Sequence, residues 1–157
     1  TIDSTSVREP VTMSSDDAAG ILLRFSNGAR ATISISQVSS GRKNSINWEI
    51  SGPEGSLAFD SENPEQLWIG HRGRANEVLH KDPGMLSPDA ARTAFYPGGH
   101  VEGFSETFRG LFERVYEDIN NGTQSNSYPT FADGVKSLEI TDAIAQSSKN
   151  SAWVKIT

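Results

Sequence analysis

From Ala18 onward the chain alternates apolar and polar residues in short runs. Gly20-Ile21-Leu22-Leu23-Arg24-Phe25 is apolar, Ser26-Asn27-Gly28 follows, and Ala31, Ile33 and Ile35 then alternate with Thr32, Ser34 and Ser36. Period-two spacing of this kind marks a strand with one covered face and one polar face. Two such runs around Asn27-Gly28 predict a hairpin whose two turn residues both take positive φ. The pattern resumes in Ile46-Asn47-Trp48-Glu49-Ile50, turns at Gly52-Pro53-Glu54-Gly55, and continues in Ser56-Leu57-Ala58-Phe59-Asp60. Leu67-Trp68-Ile69 and Glu77-Val78-Leu79-His80 are two further short strands, separated by the basic loop His71-Arg72-Gly73-Arg74. Strands in succession without an intervening helix predict an antiparallel or mixed sheet, not a βαβ repeat.

The period then changes. Residues 81–99 hold three prolines and little periodicity, a long loop of the kind that more often carries function than not. Phe104, Phe108, Leu111, Phe112, Val115 and Ile119 follow at helical spacing, and Asn120-Asn121-Gly122 stops that helix. A second helix is expected near Pro129-Thr130, where Thr130 and Asp133 form a capping box with Asp in place of Glu. Phe131, Val135, Leu138 and Ala145 make its apolar stripe, and Ala152-Trp153-Val154-Lys155-Ile156 reads as a last strand. Residues 1–17 are polar and read as an extended lead-in with an edge strand around Ser6-Val7-Arg8. The expected organisation is that lead-in followed by one domain over 18–157, of α+β class, with an open mainly antiparallel sheet.

Composition narrows the function classes. The 157 residues contain no cysteine, which removes disulfides, thiol nucleophiles and zinc-thiolate or iron–sulfur sites. A formal charge of −6 disfavours a nucleic-acid partner, because phosphate binding rests on clustered Lys and Arg. No apolar run approaches the roughly 20 residues of a bilayer span, and no signal segment opens the chain. A non-membrane, cytoplasmic protein is the expectation. The chain opens on Thr1-Ile2-Asp3 without an initiator Met, and is expected to be a piece of something longer.

Candidate chemistry is sparse. His71, His80 and His100 are not spaced as metal ligands, and no metal site is expected. His71 and His80 flank an exposed-looking loop and read as solvated. His100 sits in Tyr96-Pro97-Gly98-Gly99-His100-Val101-Glu102-Gly103, just before the first helix. Glycines beside a histidine let the backbone approach a ligand, and the ring can present a nitrogen to it. The same residue can simply brace the loop, and residue types alone favour that bracing role. Glu102 either pairs with His100 or serves as a carboxylate at the helix start. Arg42-Lys43-Asn44 can bind a hydroxylated or anionic ligand, since Arg offers a fork of donors and Asn both donates and accepts; it can equally be a solvated connection. Gln37 continues the face of Ile33 and Ile35. No nucleophile elbow, P-loop or dinucleotide fingerprint occurs.

Taken in order, several of these stretches resemble a known family. They are Ser36-Gln37-Val38-Ser39-Ser40-Gly41-Arg42-Lys43-Asn44, Glu49-Ile50-Ser51-Gly52, Gly55-Ser56-Leu57-Ala58-Phe59, Glu65-Gln66-Leu67-Trp68-Ile69-Gly70, Pro97-Gly98-Gly99-His100-x-Glu102-Gly103-Phe104 and Tyr128-Pro129-Thr130-Phe131-Ala132-Asp133-Gly134. Together they are similar to the C-terminal domain of the Gfo/Idh/MocA oxidoreductases, the family of glucose-fructose oxidoreductase and inositol dehydrogenase. The resemblance implies an open, mainly antiparallel sheet with helices on one face and a subunit interface on the other, the latter carrying Thr32, Ser34, Ser36, Asn47 and Glu49. It implies NAD or NADP in a full-length parent and no cofactor in this chain. The implied partners are a small sugar or cyclitol and a second copy of the chain. The family's dinucleotide fingerprint, its Glu-Lys-Pro motif and its Asp-x-x-x-His motif would all precede Thr1, so the resemblance implies a chain that is inactive alone. Gln37, Arg42, Asn44 and His100 are the positions expected to face substrate, with Glu102 supporting. The alternatives are a stand-alone carbohydrate-binding or interaction module, and a scaffold with degenerate catalytic motifs acting as a sensor or assembly factor.

Overall fold

The computed structural model describes residues 10–156. The chain divides into two units, the first ending at Arg42 and the second beginning at Lys43. The expected edge strand around Ser6-Val7-Arg8 lies outside the described residues.

The first unit is a hairpin. Strand β1 (Ala18–Arg24) pairs antiparallel with β2 (Arg30–Ser36), with Ala18 opposite Ser36 and Arg24 opposite Arg30. Register puts Ala19, Ile21, Leu23, Ala31, Ile33 and Ile35 on one face and Thr32, Ser34 and Ser36 on the other. The turn differs from expectation. Only Gly28 takes positive φ, at 92°; Asn27 does not. The Gly28 N–H donates to Phe25 O (3.0 Å), the Phe25 N–H donates to Ala29 O (3.0 Å), and the Asn27 side chain accepts from the Ala29 N–H (3.0 Å). This is a three-residue loop closed by a glycine bulge, which matches strand twist with one left-handed residue instead of two.

The second unit opens with four strands, β3 (Asn47–Ser51), β4 (Gly55–Asp60), β5 (Gln66–His71) and β6 (Glu77–His80), paired antiparallel in sequence order. Cross-strand partners collect Trp48, Ile50, Leu57, Phe59, Leu67, Ile69 and Leu79 on one face. Trp48 stacks on its partner Phe59 at 5.7 Å between ring centroids. The other face carries Asn47, Glu49, Ser51, Ser56 and Gln66, with Trp68 lying over Gly70. The Arg72 guanidinium crosses back to donate to the Gly52 and Pro53 carbonyls, tying the β5–β6 loop to the β3–β4 turn.

The long loop is partly ordered into a 3₁₀ turn at Pro83–Met85 and a one-turn helix α1 (Pro88–Ala91). Helix α2 (Phe104–Asn121) ends on Gly122 at φ 63°, as the sequence predicts. Its Glu106 carboxylate accepts from the Gly103 N–H (2.9 Å); Gly103 has no side-chain oxygen, so only this half of a capping box forms. Helix α3 (Phe131–Asn150) has the expected box, with the Thr130 N–H donating to Asp133 Oδ2 (2.7 Å) and the Asp133 N–H to Thr130 Oγ1 (3.4 Å).

Two expectations are corrected. Residues 152–156 form no strand. Ser151 turns left-handed at φ 50°, and the Ala152 N–H donates back to Ser147 O (3.2 Å), so the chain is used to close the helix end. The stripe on α2 is also displaced. Leu111, Arg114, Val115 and Asp118 are the sheltered positions, while Phe104, Phe108, Phe112 and Ile119 stay exposed. On the glycine side of the helix the Phe95 ring lies against Gly110 and under the Arg109 guanidinium at 4.1 Å. Among the described residues no apolar side chain is fully buried, and Phe131 at the start of α3 is 99% exposed. No helix of the described residues is long and apolar enough to cross a membrane.

Candidate functional site

The chemistry of the second unit concentrates where the end of the sheet meets the loop before α2. Lys81 follows β6 and Glu65 precedes β5; the Lys81 N–H donates to Glu65 O (2.8 Å), extending the β5–β6 ladder past its last pair. The Lys81 ammonium is ringed by three acceptors. It donates to His100 O (2.9 Å) and lies 3.2 Å from Glu65 Oε2 and 3.3 Å from Glu102 Oε1. Side-chain exposures are only 14% for Lys81, 18% for Glu65 and 9% for Glu102. Each carboxylate has a further donor. The Glu102 N–H donates to Glu65 Oε1 (2.8 Å) and the Tyr96 N–H to Glu102 Oε1. A sheltered ion cluster is stabilised by donors of this kind; Glu65 Oε2 faces the ammonium at 3.2 Å as an ion pair and accepts no hydrogen bond among the described residues.

This cluster presents His100. The His100 N–H donates to Pro97 O (3.2 Å), and Gly99 before it sits at φ 81°, a conformation that favours glycine. Gly98 packs on the Lys81 carbonyl, where a Cβ would come within 3.4 Å. The His100 side chain itself is exposed, and among the described residues no hydrogen bond or ion pair holds its ring. Glu102 does not pair with it; its carboxylate is turned inward to Lys81. A cavity of about 450 Å³ opens beside the cluster, lined by Phe59 of β4, Lys81, Glu102, Leu111 and Arg114 of α2, and Tyr128. A second, outer groove of about 800 Å³ runs along α2 and is edged by the exposed pairs Arg92–Glu117 and Arg109–Glu113.

Gln37 and Arg42 belong to the first unit; Asn44, His100 and Glu102 belong to the second. Gln37 is exposed just beyond β2, its N–H donating to Asp17 O (2.8 Å). Arg42 follows the left-handed Gly41 (φ 84°), and its N–H donates to Ser39 O (3.2 Å). Asn44 is exposed in the segment before β3. His80 is exposed as expected. His71 is not: its side chain is 18% exposed with Nε2 3.1 Å from Glu77 Oε1, because the register sets both on one sheet face. No group of three or more His, Asp or Glu among the described residues is placed to hold a metal ion.

Sequence reasoning missed three groups. Lys81 and Glu65 carry no periodic signal. Asp118 did carry one, since a carboxylate in the last turn of a helix opposes the macrodipole and needs local donors. It finds them in the Thr123 hydroxyl (2.8 Å), the Ser125 N–H (2.7 Å) and hydroxyl (2.9 Å), and the Tyr128 hydroxyl (3.0 Å). Burial pushes the Asp118 carboxyl up, but these bonds together outweigh it and hold the group below the usual carboxylate range. The same bond pushes the Tyr128 phenol up. The α2–α3 connection is thereby wound around one carboxylate, and Tyr128 is set into the wall of the cavity.

Comparison with known proteins bears on this arrangement. The profile of "Oxidoreductase family, C-terminal alpha/beta domain" (Gfo/Idh/MocA) matches residues 3–156. A levoglucosan dehydrogenase of Pseudarthrobacter phenanthrenivorans is 28% identical over 151 residues, covering 90% of this chain and 36% of the relative. An oxidoreductase of Sinorhizobium meliloti superposes with a TM-score of 0.85 at 31% identity, over 91% of this chain and 42% of that one. A levoglucosan dehydrogenase in complex with NADH and levoglucosan superposes with a TM-score of 0.80 at 28% identity, over 91% and 39%. The chain thus spans about two fifths of the length of the proteins it matches. With a profile match over nearly the whole chain and an antiparallel open sheet and helices to match, the chain belongs to the Gfo/Idh/MocA oxidoreductase family, as its C-terminal α/β domain.

Proposed function

We propose that this chain is the substrate-side part of an NAD- or NADP-dependent oxidoreductase that oxidises a hydroxyl of a sugar or cyclitol. The observation that carries the proposal is the match to a levoglucosan dehydrogenase whose structure holds both NADH and levoglucosan. The geometry adds an exposed His100 imidazole on a loop anchored through buried charge, suited to hydrogen-bond a sugar hydroxyl with either ring nitrogen. Gln37 and Arg42 of the first unit and Asn44 of the second are offered as further substrate contacts in the full-length protein, with Glu102 supporting His100 within its own loop. Residues 18–157 act as one domain, the open sheet face meets a second copy, and the protein is cytoplasmic.

The elements described do not fit a dinucleotide. A pyrophosphate needs a strand running through a glycine-rich turn into a helix with free N–H groups. Helix α2 instead follows a loop, and its first turn is occupied by the Glu106 carboxylate on the Gly103 N–H. NAD or NADP is therefore assigned to another part of the full-length protein, and this chain to substrate contact and assembly.

The test is nicotinamide-dependent turnover on a panel of sugars, anhydrosugars and cyclitols, with the full-length protein and this chain side by side. Activity of the former and inertness of the latter are expected. His100→Ala in the full-length protein is expected to raise KM for the sugar or lower kcat. Inactivity across the panel, with sugars stabilising the chain alone, would favour a carbohydrate-binding module instead.

A further inference from the structure

We propose that Lys81 is a positioning residue for His100, acting through the buried Lys81–Glu65–Glu102 cluster; this rests on the assignment of His100 as a substrate contact. The exposed His100 ring has no side-chain partner among the described residues to aim it, so its direction is set by the main chain. That main chain is gripped at two points. The Lys81 ammonium takes the His100 carbonyl (2.9 Å), and two residues on, Glu65 takes the Glu102 N–H (2.8 Å). The grip stands on rigid ground, because Lys81 and Glu65 are themselves joined at the end of the β5–β6 ladder. Gly98 and Gly99 supply the bend that brings the loop down onto Lys81.

Charge makes Lys81 the keystone. Without its ammonium, the Glu65 and Glu102 carboxylates lie close together, sheltered from water and unneutralised. Their repulsion then drives Glu102 off Glu65 and releases the loop, so the loss exceeds that of one hydrogen bond. Glu102 accordingly acts on His100 through Lys81 and touches no substrate itself.

The experiment compares Lys81→Met, His100→Ala and the double variant in the full-length protein, with Lys81→Arg as the conservative rescue. Met keeps the aliphatic stem and removes the charge. Lys81→Met is expected to lower kcat/KM for the sugar by about tenfold or more while KM for the nicotinamide cofactor stays within about twofold, and to cost nothing further in the His100→Ala background. Arg is expected to recover part of the loss. Losses that multiply in the double variant, or unchanged sugar kinetics in Lys81→Met, overturn the proposal. Should Lys81→Met fail to fold, Lys81→Gln carries the same expectations, since it leaves a polar side chain in place and removes the cation between the Glu65 and Glu102 carboxylates. Amide hydrogen exchange at His100 and Glu102, whose N–H groups donate to Pro97 O and Glu65 Oε1, separates this proposal from the functional one. A wild-type protein inactive on every sugar refutes the function. Exchange then decides alone: about tenfold faster in the variant upholds the positioning role, and unchanged exchange overturns it.

Discussion

Gly55 offers a stringent test of the sheet. It opens β4 opposite His71, and a Cβ built there would lie 2.5 Å from the Gly70 carbonyl oxygen. The obstacle is backbone of the adjoining strand, not the end of a side chain that can swing aside. Gly55→Ala must therefore push β4 and β5 apart or fray the Gly55–His71 end. Fraying is opposed by the Arg72 guanidinium, which holds the Gly52 and Pro53 carbonyls of the neighbouring turn, and by the Gly52 N–H bond to Gly55 O (2.8 Å). Overpacking costs about 1–3 kcal/mol, and a clash with main chain belongs at the upper end. The restricted unfolded chain returns about 0.4–1 kcal/mol. A net loss of about 2 kcal/mol remains, which lowers Tm by about 4–8 °C for a chain of this size. Thermal unfolding followed by circular dichroism measures it. Gly20→Ala is the control: it lies in β1, has ordinary φ and meets nothing within 4 Å. It is expected to leave Tm unchanged or raise it slightly. A Gly55→Ala protein melting within about 1 °C of wild type would refute the reasoning, because the carbonyl would then have moved at no cost.

Asp118 should make the protein acid-sensitive. Its folded carboxyl titrates below the unfolded value of about 3.9, so its contribution is complete above that pH and is lost as pH falls through the folded value. Acid unfolding below about pH 4 should accordingly be blunted in Asp118→Asn. In the same variant the Tyr128 phenol, raised in the wild type by its bond to Asp118, should fall back toward about 10 in a spectrophotometric titration. Unchanged titrations would detach both residues from the α2–α3 connection. Thr130→Ala removes a helix cap and should cost about 1 kcal/mol in denaturant unfolding, with no change in m-value.

Much of the fold is legible in the sequence because strands and helices write different periods. The alternation of Ile33 and Ile35 with Thr32, Ser34 and Ser36 gives β2 its two faces, and Thr130 with Asp133 marks the start of α3 to the residue. What stayed hidden depends on partners distant in sequence. Trp153-Val154 has strand-forming residues, yet a strand needs a ladder, and the reversal at Ser151 spends that segment on closing α3. The stripe on α2 identifies apolar positions but not which of them the rest of the fold would shelter. His71 looks solvated until register places Glu77 beside it. At the candidate site, His100 and Glu102 stand out by their glycine-rich surroundings. The lysine that organises them is a lone charge after a strand, indistinguishable by pattern from a solvated one.

The sequence-order pairing of β3 through β6 has a consequence for how the molecule is made. Every ladder in this sheet joins neighbours along the chain, across connections no longer than residues 61–65 and 72–76. Loop-closure entropy is small for such contacts, and low contact order favours rapid folding. On the ribosome the sheet can zip hairpin by hairpin as it emerges, with Lys81 and Glu65 already aligned by the last ladder. Glu102 arrives afterwards, to an acceptor and a cation that are waiting for it. The His100 loop follows the last strand in the chain, so its partners on the sheet are in place before it is made.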